Sequence, residues 1–212
     1  MSAFAEPYIA QILEGTLKFP DGLVAETWEP YYTPWGFTIY RTAFGPSTDD
    51  QWKLLLDTIT SEVIATISFY KDKEPTAADA LISLFRLDPR SDASTQAGAT
   101  IDQIRELYKN GSGGMPMNAE RLRLFLLADD EVLEAASGGK PWIKCVQADY
   151  DATKYVPKNN RVWGGGRQTY FGWMKVTARS LLEFWDQLSV WTLERITPPT
   201  IDEAQLGVWD GL

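Results

Sequence analysis

Residues 35–42, W-G-F-T-I-Y-R-T, combine aromatic and β-branched side chains in an alternating pattern. This pattern predicts a β-strand. The turn F-G-P-S-T-D-D follows, and after it apolar residues recur at helical spacing, which predicts a long helix at about 50–64. Ser47 or Thr48 is a suitable N-cap, and the two aspartates of the turn favour the first helical turn. A strand followed by an amphipathic helix predicts a sheet that is covered by helices.

Strands and helices continue to alternate along the rest of the chain. Further strands are predicted at 81–87, 121–128, 142–149 and 169–177. Further helices are predicted at 8–13, from Thr100 onward, at 129–136 and at about 178–190, the last one capped by Thr177. The segment N-G-S-G-G-M-P-M, 110–117, is rich in glycine and predicts a linker.

The predicted fold class is α+β, an antiparallel or mixed sheet with helices on one face. Most predicted strands are short, and several alternate rather than being wholly apolar, which disfavours a doubly wound parallel sheet. The length of 212 residues suits a single compact domain, 1–212. Within it we predict two fused ferredoxin-like halves, 28–110 and 118–192, and an extended tail at 197–212.

The chain contains no histidine and one cysteine, Cys145. The absence of histidine excludes Ser-His-Asp and Cys-His triads, imidazole bases and the His-containing zinc and iron sites. A single cysteine excludes thiolate clusters. Catalysis would therefore depend on carboxylate, lysine, arginine or tyrosine side chains. We predict no transition-metal site and, since no nucleotide motif is present, no cofactor. A carboxylate-only Mg²⁺ or Ca²⁺ site stays open.

The net charge of −9 argues against binding to nucleic acid or to anionic membranes. No window approaches 18 uninterrupted apolar residues, which disfavours a membrane-spanning helix. The first ten residues lack the basic and apolar regions of a signal peptide. With one cysteine, these features predict a cytoplasmic protein. The oligomeric state stays open.

The segment R-V-W-G-G-G-R-Q-T-Y-F-G-W, 161–173, contains three consecutive glycines. It lacks the Gly-Lys-Ser/Thr of a phosphate loop, and no helix pattern follows it. A hairpin connection and a flexible lid over a ligand both fit this composition. As a lid, 158–168 would place Trp163 and Arg167 on the ligand. Residues 140–175 carry seven basic and two acidic side chains, so a ligand with a carboxylate or phosphate group is expected here.

Several other side chains are candidates for a site. Asp88 and Asp149 lie where predicted strands end and suit a general acid or base, although aspartates in such turns also cap backbone amides. Tyr170 is the third candidate catalytic residue. Arg41 could bind a ligand carboxylate or form an internal ion pair. The candidate ligand-binding residues are Trp35, Arg41, Trp163, Arg167 and Trp173.

Four segments, W-G-F-T-I-Y-R-T at 35–42, L-F-R-L-D-P-R at 84–90, R-L-F-L-L-A-D-D-E-V-L at 123–133 and V-Q-A-D-Y-D at 146–151, carry a resemblance. The chain resembles uncharacterised small proteins of filamentous fungi over about 28–190. The resemblance implies a fungal, soluble protein and raises the expectation of small-molecule work in secondary metabolism.

Two functions are therefore expected. The first is a cofactor-independent enzyme, of isomerase or cyclase type, that folds a mostly apolar small molecule in an aromatic pocket. The alternative is a non-catalytic module that uses exposed tryptophans and the basic region to bind an acidic protein partner. An apolar cavity with convergent polar groups would favour the first function, and a flat aromatic patch would favour the second.

Overall fold

The computed structural model describes residues 7–18, 31–155, 168–200 and 203–211. The strands are β1 Leu17–Lys18, β2 Tyr31–Tyr32, β3 Trp35–Arg41, β4 Phe85–Arg90, β5 Leu124–Ala128, β6 Trp142–Gln147, β7 Trp173–Thr177 and β8 Val208–Trp209. The helices are α1 Tyr8–Glu14, α2 Thr48–Ser68, α3 Pro75–Leu84, α4 Ala93–Gln96, α5 Ile101–Lys109, α6 Ala119–Leu122, α7 Asp130–Ser137, α8 Leu181–Gln187 and α9 Leu193–Ile196. Short 3₁₀ turns lie at Ala152–Lys154, Ala178–Ser180 and Glu203–Gln205.

Six strands form one mixed sheet in the order β4-β3-β5-β6-β7-β8. β3 is parallel to both β4 and β5, whereas β6 is antiparallel to its two neighbours, β5 and β7. β8 is parallel to β7. β1 and β2 form a separate antiparallel pair. The predicted α+β class with a mixed sheet is thus confirmed. Strands from both predicted halves join this sheet through the β3–β5 pairing, and the division into halves stays a prediction.

Two apolar clusters sandwich the sheet. The larger one lies on the face covered by α1, α2, α3, α7 and α8, where Phe37 and Ile39 of β3 are buried. The smaller one joins Tyr40 of the same strand to Ile104 and Tyr108 of α5. Side chains alternate between the two faces of a strand, so β3 contributes to both clusters. Most helices therefore pack on one face, as predicted, and α5 covers part of the other.

The element boundaries depart from the sequence patterns at several positions. The predicted strand 81–87 is wrong in its first half, because α3 continues to Leu84 and β4 begins at Phe85. Pro75 starts α3 at a position where its missing N–H has no cost, and alanines favour its continuation. The predicted long helix at 178–190 is a 3₁₀ turn followed by the seven residues of α8.

The predicted caps have mixed outcomes. The helix predicted from Thr100 onward is α5, and Thr100 forms a capping box with Gln103 at its start, a feature that was not predicted from the sequence. Ser47 is the N-cap of α2, yet its side chain makes no capping hydrogen bond and its φ is 67°. The hydroxyl of Thr177 donates to Ser180 and Asp210 instead of capping a helix. A cap requires a backbone geometry that residue type alone does not set.

Candidate functional site

A cavity of about 450 Å³ opens where β5 begins and β6 ends. We call it the Tyr155 groove. It is lined by residues 120–124, Gln147, Asp149, Tyr155 and residues 188–194. The β5–β6 pairing sets Leu124 opposite Gln147 and so brings the first two segments together. The chain after α8 closes the opposite wall. Four separate segments therefore build one concave surface, and such concavities are where proteins bind small molecules.

A chain of hydrogen bonds runs from the protein interior to Asp149. The buried Tyr170 hydroxyl donates to Oε1 of Gln147 at 2.7 Å. Nε2 of Gln147 donates in turn to Oδ1 of Asp149 at 2.9 Å. These contacts hold the exposed Asp149 side chain in the turn that follows β6. Within the described residues, its second oxygen, Oδ2, accepts no hydrogen bond and can receive a proton from a ligand.

Three tyrosines form the wall behind this chain. The rings of Tyr150 and Tyr155 stack with centroids 5.4 Å apart, and Tyr170 meets both rings edge-on at 5.7 and 5.0 Å. Burial raises the pKa of Tyr170 well above its usual value, so its hydroxyl stays protonated as a donor. Burial, followed by the charge of Glu194, also raises the pKa of Tyr155. The tyrosine wall is therefore neutral at physiological pH.

Arg105 of α5 supports the wall from the other side of the sheet. Its guanidinium donates to the carbonyls of Gln147 at 2.9 Å and of Gly172 at 3.1 Å, and it lies 4.9 Å from the Tyr150 ring centroid. Gly172 has φ of +78°, and a Cβ added there would lie 2.2 Å from Tyr150. Only glycine permits this close approach. The interruption also explains why β7 begins at Trp173, later than the predicted strand 169–177.

Of the predicted catalytic residues, Asp149 and Tyr170 come together through Gln147, whereas Asp88 does not line the Tyr155 groove. Asp88 lies on β4, where its Oδ2 accepts from Thr38 at 2.9 Å and from Nη2 of Arg90 at 2.7 Å. The Asp88 carboxylate is thus hydrogen-bonded by side chains of the fold itself.

The predicted ligand-binding residues lie elsewhere. Arg41 is buried, pairs with Asp49 at 2.7 Å and donates to the carbonyl of Ala43. Trp35 is fully buried in the core, and its Nε1 donates to the carbonyl of Leu81. Trp173 is buried as well, and its Nε1 donates to Glu203 at 2.7 Å. None of these three residues lines the Tyr155 groove.

The glycine segment at 158–168, with Trp163 and Arg167, lies almost wholly outside the described residues. The described residues on either side of it are at the site. Tyr155 lines the Tyr155 groove, and Nε2 of Gln168 donates to the Tyr150 hydroxyl at 2.7 Å. The lid therefore stays a prediction. The nearest described residues on either side of it, Tyr155 and Gln168, belong to or contact the tyrosine wall.

Part of the basic region is already paired. Lys144 contacts Asp129 at 2.5 Å, and Lys175 contacts Glu131 at 2.7 Å. These two ammonium groups are thus less available to a ligand than the sequence count suggests. In the described part of the chain, no three cysteine, aspartate or glutamate side chains come close enough to hold a metal ion. The described helices also include none that is long and apolar enough to cross a membrane.

The sequence patterns did not identify most residues that line the Tyr155 groove or support its tyrosine wall. Tyr150 and Tyr155 flank the glycine segment on its N-terminal side, as Tyr170 does on the other, and this symmetry was a usable signal. Arg105, Arg123 and Trp191 carry no local signal, because each reaches the site through tertiary packing.

Comparisons with protein-family models, with curated proteins and with solved structures find no match to this chain. The function of the site has to be argued from its own geometry.

Proposed function

We propose that the Tyr155 groove binds a small, mostly apolar molecule and that the protein isomerises or cyclises it without a cofactor. The observation that carries this proposal is the hydrogen-bond chain from Tyr170 through Gln147 to Asp149. It holds one carboxylate oxygen of a residue that lines a concave surface, and the other oxygen accepts no hydrogen bond within the described residues. In a chain without histidine, a fixed carboxylate beside a cavity is sufficient to accept a proton from a ligand and to return it.

The reaction that suits this arrangement is a redox-neutral proton transfer. Oδ2 of Asp149 takes a proton from a carbon next to a double bond of the substrate. The electron pair of the broken C–H bond forms a new π bond, while the original π bond breaks and moves its electron pair to its far carbon. The carboxylic acid then returns the proton to a different carbon. No electron acceptor is needed, because atoms and electrons balance within the substrate. The same group starts a cyclisation by deprotonating one end of a folded chain as a carboxylate, or by protonating it as a carboxylic acid.

The groove offers flat and aliphatic surface for an apolar substrate. Tyr155 contributes one ring and Trp191, which is 44% exposed, contributes a second. Leu188 and Val190, in the segment that follows α8, also line the groove, and Val190 is 70% exposed. Covering apolar side chains that are exposed in the free protein favours binding by about 25 cal/mol per Å² of surface. The groove thus has apolar surface that favours binding and, in the Asp149 carboxylate, a proton acceptor.

The first test is a search for ligands by thermal shift with a library of small molecules. We expect hits whose stabilising effect is lost in Trp191→Ala. Trp142→Ala, in a separate cavity of about 780 Å³, is the matched control and should keep the effect. If every hit behaves alike in both variants, the binding site is elsewhere and the proposal is wrong.

The second test examines the chemistry. Wild-type protein in D₂O should exchange carbon-bound hydrogen of a bound substrate for deuterium, which ¹H NMR detects. Asp149→Asn should bind the same molecule with similar affinity and slow the exchange by about 100-fold or more. Asp151→Asn is the control, because Asp151 caps a 3₁₀ turn and does not line the groove. Equal exchange in Asp149→Asn and wild type would exclude the carboxylate as the base.

The alternative, a module that binds an acidic protein partner, has less support. Trp191 is the exposed member of the described tryptophans, and two lysines of the basic region are paired with carboxylates. A role in fungal secondary metabolism is supported by the resemblance in four segments alone, and it stays part of the proposal.

A further inference from the structure

We infer that Arg123 binds a single carboxylate group of the molecule in the Tyr155 groove. The inference rests on the proposed function and adds a chemical class to it. The substrate would be a mostly apolar acid, held at its charged end by Arg123 and at its apolar end by Tyr155 and Trp191. Arg123 lies in the same lining as Asp149, so the charged end of such a ligand would lie in the same cavity as the proton acceptor.

The first observation is that the exposed Arg123 guanidinium makes no hydrogen bond and no ion pair within the described part of the chain, although its charge acts on the Tyr108 hydroxyl. Six other described arginines donate hydrogen bonds to protein acceptors: Arg41, Arg86, Arg90, Arg105, Arg121 and Arg179. Arg195 packs over the Trp191 ring, with its guanidinium carbon 5.0 Å from the centroid. Arg123 donates to no described residue and lines a cavity. Its planar donors can therefore take a carboxylate in two parallel hydrogen bonds.

The second observation is the backbone of Arg123, which is left-handed with φ of 46° and ψ of 42°. This conformation ends α6 and turns the chain into β5, so that the Arg123 carbonyl accepts from the Ala148 amide at 2.8 Å. Glycine adopts it without the steric penalty that a side chain incurs. The turn thus depends on the backbone at position 123, and the arginine side chain makes no described hydrogen bond within it. That side chain is exposed and lines the groove, where a ligand can reach it.

The third observation is the charge of the lining, which favours a ligand of low negative charge over a polyanion. Glu120, Asp149 and Glu194 line the same groove. The other guanidinium of the lining, Arg121, donates to the Gly15 carbonyl at 2.7 Å and packs over the Trp185 ring. Three carboxylates would repel a polyanion such as a nucleotide polyphosphate. A planar monoanion next to Arg123 meets the one guanidinium that is not already bonded.

The test uses a matched pair of probes, naphthalene-2-carboxylate and naphthalene-2-carboxamide, in calorimetric titrations. The two molecules present the same rings and differ in charge. We expect wild-type protein to bind the carboxylate about tenfold or more tightly than the amide, since a charged hydrogen bond supplies that difference. Arg123→Gly and Arg123→Gln should remove the difference and leave the amide affinity unchanged. Arg123→Gly should also melt at a temperature equal to or above that of wild type, because the left-handed backbone strain is relieved.

The outcomes separate the inference from the proposed function. Equal affinity of wild type for the two probes, or full carboxylate affinity in both Arg123 variants, would overturn the inference and leave the groove intact as an apolar site. Trp191→Ala should weaken both probes by the same factor. If it weakens neither, or if wild type binds neither probe, the groove does not bind flat molecules and both proposals fail. Arg123→Gln keeps the test decisive should Arg123→Gly fold poorly.

Discussion

The Tyr170 hydroxyl lies 2.7 Å from the side-chain carbonyl of Gln147, a residue 23 positions earlier in the chain. This bond connects the end of β6, two residues before Asp149, to the chain that leaves the glycine segment. It is buried on the tyrosine side, where an unpaired polar group would be costly. The geometry of Asp149 therefore depends on a residue that does not line the groove.

Tyr170→Phe should lower the free energy of unfolding by about 1–2 kcal/mol, because Oε1 of Gln147 loses its donor. Urea denaturation measures the loss. Tyr31→Phe is the control, since Tyr31 is 51% exposed and should show no change. A Tyr170→Phe protein as stable as wild type would mean that water replaces the hydroxyl.

Gly172→Ala should destabilise the protein by about 2–4 kcal/mol, from left-handed strain together with overlap of the new methyl group and the Tyr150 ring. Gly98→Ala separates the two causes. Gly98 has φ of +65° and open space around it, so alanine there should cost about 1 kcal/mol from strain alone. The same loss at both positions would argue against close packing of Tyr150 on Gly172.

Asp129→Ala should cost about 2–3 kcal/mol. The carboxylate accepts from the Val132 amide as the N-cap of α7, and it also pairs with the buried Lys144 at 2.5 Å. Asp130→Ala, in the exposed first turn of the same helix, keeps both contacts and should change stability by less than about 0.5 kcal/mol. Thermal denaturation of the two variants side by side decides the matter.

Asp210 should titrate at unusually low pH. The Arg179 guanidinium and the Thr177 hydroxyl bind its carboxylate and lower its pKa to about 2. Because this pKa lies below that of the unfolded chain, the pair stabilises the fold above about pH 4 and is lost as pH falls through about 2. NMR titration of the Asp210 carboxyl carbon measures the midpoint. Arg179→Gln should raise it toward the usual aspartate range, and Arg86→Gln should leave it unchanged.

Local patterns were sufficient for several elements of the fold. The alternation at 35–42 predicts β3, and the apolar spacing at 50–64 predicts α2, which extends to Thr48–Ser68. The helix predicted from Thr100 onward is α5, which begins at Ile101. Each of these features depends on side chains within a few positions of one another, so nothing distant has to be known. The segment 81–87 fails because helix and strand tendencies compete there, and packing at Phe85 decides between them.

The candidate site depends on contacts that no local pattern contains. The Tyr155 groove exists because β5 pairs with β6, which sets Leu124 opposite Gln147, and because the chain after α8 returns to the same place. Arg105 reaches Gln147 and Gly172 from a helix on the opposite face, 42 and 67 positions away along the chain. The composition determines that catalysis in this chain without histidine would depend on carboxylate, lysine, arginine or tyrosine side chains. Only the packing of distant segments could decide that Asp149 and Tyr170 share a site, whereas Asp88, Arg41 and Trp35 have their partners within the fold.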